Sequence, residues 1–183
     1  ALPTLTAVPG DGKVTLYWDS AAERSEDQFL ADLGRADSRD FEGYLIYRST
    51  DPAFLDPLVV TDARGNKVYR QPIARFDLKD GRKGFQSVAV NGTQFYLGDD
   101  SGLSHTFVDT TAVNGVRYFY AVTAYDFGAP DINISPTETP ILIEQRADGV
   151  IIPGPNVAVV TPQAPVGGFQ GPDVVNLRRT AGF

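Results

Sequence analysis

Side chains suited to catalysis are sparse in this sequence, and carboxylates dominate them. His105 is the single histidine among 183 residues, and there is no cysteine. Hydrolysis by a Ser-His-Asp group would need His105 within reach of a hydroxyl. Its neighbour Ser104 points to the opposite face if both lie in a strand, so the adjacent pair is not a nucleophile with its base. The lack of cysteine removes disulfides, thiolate metal sites and cysteine nucleophiles together. The 23 acidic residues offer many carboxylate pairs for glycoside cleavage, but that chemistry depends on the separation of the two carboxyls in space.

A hard cation is the one cofactor the residue types suggest. Asp77, Asp80, Asp99 and Asp100 supply the oxygen ligands calcium takes, although the spaced Asp-x-Asp-x-Asp-Gly loop is missing and a solvated acidic turn competes with that reading. The glycines of Gly98-Asp99-Asp100-Ser101-Gly102 do not make a phosphate loop, because the carboxylates would repel the anion. Two glycosylation sequons occur, Asn91-Gly92-Thr93 and Asn133-Ile134-Ser135, both in turn-forming sequence. A glycan-binding surface would need exposed aromatic platforms, and the only tryptophan, Trp18, falls at a core position of its strand.

The elements that position these residues are strands. Val14, Leu16 and Trp18 alternate with Lys13, Thr15 and Tyr17 after the turn Pro9-Gly10-Asp11-Gly12, which gives a hairpin-like opening. Residues 21–40 are polar, and Ser25-Glu26-Asp27-Gln28 has capping-box spacing ahead of Phe29, Leu30 and Leu33, with Gly34 as a stop. This predicts a short helix inserted in a loop. Strands follow at 43–48, in short turn-separated runs over 57–102, at 106–109 and 116–125, and last around 141–144. Asn91-Gly92 between two β-prone runs is a strong hairpin signal. The chain is therefore expected to be all-β, with turns about every ten residues, as in a sandwich or barrel.

Composition narrows the function classes. A net charge of −7 argues against nucleic acid or an anionic membrane as partner, since both require clustered Lys and Arg; Arg178 and Arg179 are too small a group to change this. No apolar run nears the ~18 residues of a membrane span. A chain that starts at Ala1 and contains no methionine is expected to have lost a secretory leader, which places it outside the cell or on its surface; the competing reading is a piece cut from something longer.

Four stretches resemble a known family. Lys13-Val-Thr-Leu-Tyr-Trp18-Asp19, Phe41-Glu-Gly-Tyr44-Leu-Ile46-Tyr-Arg-Ser, Asn114-Gly-Val-Arg-Tyr118-Phe-Tyr120-Ala-Val122-Thr-Ala124-Tyr and Ser135-Pro-Thr-Glu resemble strands B, C, F and G of fibronectin type III domains, in that order. Some of this wording also resembles modules in large secreted bacterial proteins. The resemblance covers roughly half the chain and implies a fibronectin type III-like β-sandwich over 1–145. It would carry a short helical insertion at about 21–40, a hairpin-rich insertion at about 61–102, and an extended Pro/Gly-rich tail over 146–183. It also implies that Trp18 is core and that Tyr118 is the tyrosine corner. The family pattern carries no catalytic motif, so the expected activity is binding or assembly.

If Tyr44 and Ile46 face the core, Leu45 and Tyr47 face out, and inward Tyr118, Tyr120 and Val122 send Phe119 and Tyr125 out with them. Soluble monomers rarely leave such an apolar face bare, so the 61–102 insertion, the tail or another molecule should cover it. The tail contains the β-prone runs 150–152, 156–161 and 174–177. It either folds back on its own sandwich or adds a strand to the next subunit. The leading expectation is a non-catalytic extracellular assembly module, a fibre subunit that donates residues 157–161. Its interface would comprise Leu45, Tyr47, Phe119, Tyr125, Val157, Val159 and Val160. The alternatives are an accessory ligand- or glycan-binding domain of a larger secreted protein and, third, a glycan-active enzyme. The partners expected are copies of itself or neighbouring modules, with a glycan as the other ligand.

Overall fold

Asp11-Gly12 closes the first hairpin, with Gly12 at φ +61, and joins β1 (Leu5–Gly10) to β2 (Lys13–Trp18) in antiparallel register from Leu5↔Trp18 to Gly10↔Lys13. The expected alternation holds: Val14, Leu16 and Trp18 are buried and Lys13 and Tyr17 are exposed. This is a computed structural model, and it describes residues 1–165. The run 174–177 and the Arg178-Arg179 pair lie outside the described residues.

A 3-10 turn (Ala21–Arg24) and helix α1 (Gln28–Asp32) form the helical insertion. The cap is Asp27, whose Oδ1 accepts from Leu30 N at 3.0 Å, and not Ser25, whose hydroxyl donates to Ala22 O at 2.6 Å. The shift seats Leu30 in the interior and leaves Phe29 and Leu33 exposed.

The chain then forms β3 (Phe41–Ser49), β4 (Val60–Thr61), β5 (Lys67–Tyr69), β6 (Ala74–Asp77), β7 (Phe85–Val90), β8 (Thr93–Tyr96), β9 (Thr106–Asp109), β10 (Tyr118–Asp126), β11 (Ile143–Gln145), β12 (Ile151–Pro153) and β13 (Val157–Val160). Two sheets make the sandwich, β1-β2-β9 and β13-β10-β3-β6, both antiparallel. Between them lies a core built on Leu16, Trp18, Tyr44, Ile46, Tyr120 and Val122. At its margin the Tyr118 hydroxyl accepts from Val113 N at 3.2 Å, which pins the turn before β10.

The tail required correction. The strand expected around 141–144 is β11, and it pairs with β12 in a separate ribbon, so a boundary at 145 would cut a hairpin. Beside the end of β10 the chain makes a single bridge, Tyr125↔Glu138, then leaves and returns as β13. That strand fills the sheet edge with Tyr118↔Val160 through Ala121↔Val157. Of the tail's two arrangements, the described residues take folding back: Val160 is buried in the core between the sheets, Val157 is buried on the outer face of its own sheet, and Val159, on the same face as Val157, is 39% exposed. The run proposed as a donated strand is thus already paired. An edge strand with four ladder positions and two buried valines is better satisfied in its own chain than left unpaired.

Candidate functional site

The outer face of the four-stranded sheet is covered by the chain itself. Leu45, Tyr47, Phe119 and Tyr125 are each at most 2% exposed, so the structure corrects their reading as an open assembly surface. They form a second apolar cluster with Phe54, Phe95 and Leu97 from the 50–102 insertion, flanked by Ile143 and Ile151 of the tail ribbon. The Tyr125 hydroxyl donates to Leu97 O, which ties the insertion to β10. Two of the expected covers share the face: Phe95 and Leu97 come from the 61–102 insertion, and Val157 and Ile151 from the tail, with Phe54 added from the loop after β3.

The cover is incomplete. The insertion folds as two ribbons, β4 with β5 and β7 with β8, and between them and β3 lies a cavity of about 420 Å³. Leu45 and Tyr47 form its floor, Tyr69 and Phe95 a wall in edge-to-face contact at 5.4 Å, and Phe85 and Tyr96 part of its margin. The volume lies in the range of small-ligand pockets, which are mostly apolar with a few convergent polar groups.

The charged groups on its lining are Arg70, Arg75 and Glu138, with Gln71 and Gln94 beside them. Arg75 pairs with Leu45 across β6 and β3, and the alternation of β6 turns it onto the covered face. Its guanidinium carbon lies 5.7, 5.4 and 5.3 Å from the ring centres of Phe95, Tyr96 and Tyr125, a geometry in which ring quadrupoles attract a cation. Its Nη1 is buried without an acceptor. Arg70 donates from Nε to Phe54 O at 3.2 Å. Among the described residues neither guanidinium has a carboxylate within salt-bridge distance. Glu138 accepts from the Thr123 hydroxyl at 2.7 Å; burial pushes its carboxyl up, against the lowering effect of Thr123, Tyr47 and the two arginines.

The other candidates serve the fold. The Asp77 carboxylate accepts from Asp100 N and Ser101 N at 2.6 and 2.8 Å, and Asp100 Oδ1 accepts from Gly81 N at 2.9 Å. Asp80 pairs with Arg82, and Asp99 accepts from the Tyr96 hydroxyl. The four aspartates therefore hold two loops together, each engaged with a different donor, and they are not gathered into a ligand set among the described residues. Asn91 and Asn133 are exposed and sit at φ +51 and +60 in their turns. His105 Nε2 meets Glu23 Oε1 at 2.5 Å, while Ser104 Oγ is turned to Thr106 O at 2.8 Å. Ser104 is therefore engaged with backbone and not with His105.

A group of buried acids lies where β3 and β10 run out. Burial, with the charge of Asp126 second, pushes Asp40 up to about 7. Burial, with the charge of Asp80 second, pushes Glu42 up to about 8, and both Glu42 oxygens are buried without a hydrogen-bond partner. Asp126 is occupied by donors from Gly128 and Thr137.

Nothing local in the sequence marks Arg70, Arg75 and Glu138 as site residues. The available signal was Arg75 in Ala74-Arg75-Phe76, a charge between apolar residues in a short strand, which becomes informative once that strand is known to lie beside β3. Compared with protein-family models, curated proteins and solved structures, the chain matches none of them.

Proposed function

We propose that this chain is a non-catalytic ligand-binding module of the secreted, fibronectin type III-like kind, holding a small molecule between the outer face of its larger sheet and the 50–102 insertion. The observation that carries this reading is the cavity over Leu45 and Tyr47, with a largely apolar lining and two guanidinium groups that have no carboxylate within salt-bridge distance among the described residues. The strand arrangement β1-β2-β9 against β13-β10-β3-β6 and the Tyr118 hydrogen bond support the family likeness that four sequence stretches suggested. Binding in the cavity takes precedence over polymerisation through residues 157–161, because β13 is already paired to β10 of its own chain.

The test is a titration with the neutral fluorophore N-phenyl-1-naphthylamine, which brightens in apolar surroundings. Saturable binding at one site per chain is expected, and it should be lost in Gln94→Trp, which puts bulk at the exposed rim of the cavity. A signal that never saturates, or one that Gln94→Trp leaves unchanged, would sink the proposal.

A further inference from the structure

Resting on that reading, the geometry points to the class of ligand: an amphipathic anion, with an apolar or aromatic body and one carboxylate-type head, whose head is held by Arg75 and Arg70. A guanidinium in apolar surroundings is expensive unless a counter-charge or a full set of acceptors accompanies it. Among the described residues Arg75 has no carboxylate within salt-bridge distance, and the charge of Glu138 acts on it only from farther away. Three aromatic rings stabilise its charge, and Nη1 still has no acceptor. Arg70 uses its Nε on one backbone carbonyl. The donors that remain form a planar fork of the kind that takes a carboxylate through two parallel hydrogen bonds.

The surroundings select the rest of the molecule. Tyr47, Tyr69 and Phe95 offer flat faces and edges to an apolar body, and the exposed lining is mostly apolar even though Gln71 and Gln94 also reach it. Glu138, the one carboxylate on the lining, is tied to the Thr123 hydroxyl and lies outside ion-pair distance of both arginines. It therefore leaves the position of a counter-ion for the ligand to fill.

The experiment compares 1-naphthylacetate with its methyl ester as competitors of N-phenyl-1-naphthylamine on the full chain. The two differ by one charge and one methyl group, and since burying the methyl favours the ester, tighter binding of the acid reads an anion preference. The acid should bind at least about tenfold more tightly, the scale of a hydrogen bond to a charged group. Arg75→Gln should bring the ratio close to one, and because the ratio is read within each protein, any general change in cavity binding cancels. Arg70→Gln should reduce the ratio in the same direction and covers the case in which Arg75→Gln does not fold. Equal binding of acid and ester to the unaltered chain would overturn the anion assignment while leaving a binding module in place. Displacement of the fluorophore by neutral oligosaccharides but not by the acid would overturn it in favour of a sugar. Absence of saturable fluorophore binding removes both the anion assignment and the module.

Discussion

The Tyr120 hydroxyl donates to Asp109 Oδ2 at 2.7 Å inside the sandwich, joining β10 of one sheet to β9 of the other. Asp109, 4% exposed, also accepts from Thr111 N and Oγ1 at 2.9 and 2.7 Å and from Arg48 Nη1 at 2.8 Å. Burial alone would raise its pKa; the Thr111, Tyr120 and Arg48 partners outweigh burial and hold it below the usual range. Asp109→Asn leaves Arg48 without its counter-charge and should lower stability by about 2–4 kcal/mol, whereas Tyr120→Phe, which deletes one donor, should lower it by about 1–2 kcal/mol. Urea unfolding followed by circular dichroism measures both, and equal losses would show that the ion pair contributes nothing beyond the hydroxyl.

Stability should fall as pH rises from about 5 to about 8. Asp40 and Glu42 have folded pKa values of about 7 and about 8, above the ~4 of an unfolded carboxyl. The folded chain therefore holds protons that the unfolded chain releases, and unfolding becomes easier as pH climbs through that window. Below about pH 4 the sign reverses, because Asp109, Asp37 and Asp131 are held low in the folded chain and lose their partners on protonation. Glu42→Gln should flatten the alkaline side and raise stability at pH 8.5 by about 1–3 kcal/mol. Denaturation midpoints at pH 5.5 and 8.5 for the two proteins decide it; parallel curves would exclude Glu42 as the titrating group.

Asn156 is fully buried and binds two other segments at once, β10 and the stretch 140–142. Its Nδ2 donates to Pro140 O and Val122 O at 2.9 and 3.2 Å, and its Oδ1 accepts from Leu142 N at 3.2 Å. Asn156→Ala strands two carbonyls and an amide and should lower stability by about 2–4 kcal/mol. Deletion of residues 146–183 should go further and abolish cooperative unfolding, because it removes β12 and β13. A truncated protein with an unchanged midpoint would mean that β13 is dispensable to the sheet.

Gly43 lies where β3, β6 and β10 pack most closely. A methyl group there would run into Phe76 O and come within 2.9 Å of Tyr125 Cε1. Gly43→Ala should lower stability by about 1–3 kcal/mol, the range for overpacking a filled interior. Because Tyr125 is one of the rings around Arg75, the same change should weaken naphthylacetate binding. Calorimetry of unfolding and of binding on one preparation separates the two effects.

Much of the sandwich was legible because its signals are local. The alternation in β2, β3 and β10 identified inward Trp18, Tyr44, Ile46 and Tyr120 and, by parity, the outward set Leu45, Tyr47 and Phe119. Asn91-Gly92 identified the β7–β8 hairpin. What failed was the pairing of distant segments. Nothing in Val157-Ala158-Val159-Val160 states that it pairs with a strand 31 residues upstream and not with another chain, since a β-ladder is made of backbone and any β-prone run can enter it. The cavity was invisible for a related reason: Arg75 and Glu138 are ordinary residues until Leu45 is known to lie beside one and Tyr125 beside the other.

The return of β13 also bears on how the chain reaches its native state. Leu5 N donates to Pro155 O at 2.8 Å, so the first strand's outer edge is completed by a residue near the end of the described chain. During synthesis β1, β3 and β10 all emerge before residues 155–160 exist, and the β10 edge stays open until they do. Contacts of such long sequence separation slow folding and prolong the exposure of unpaired edges. A chain that ends near residue 150 should therefore be prone to pairing with its neighbours, and the arrival of residues 155–160 should be the step that closes the edge.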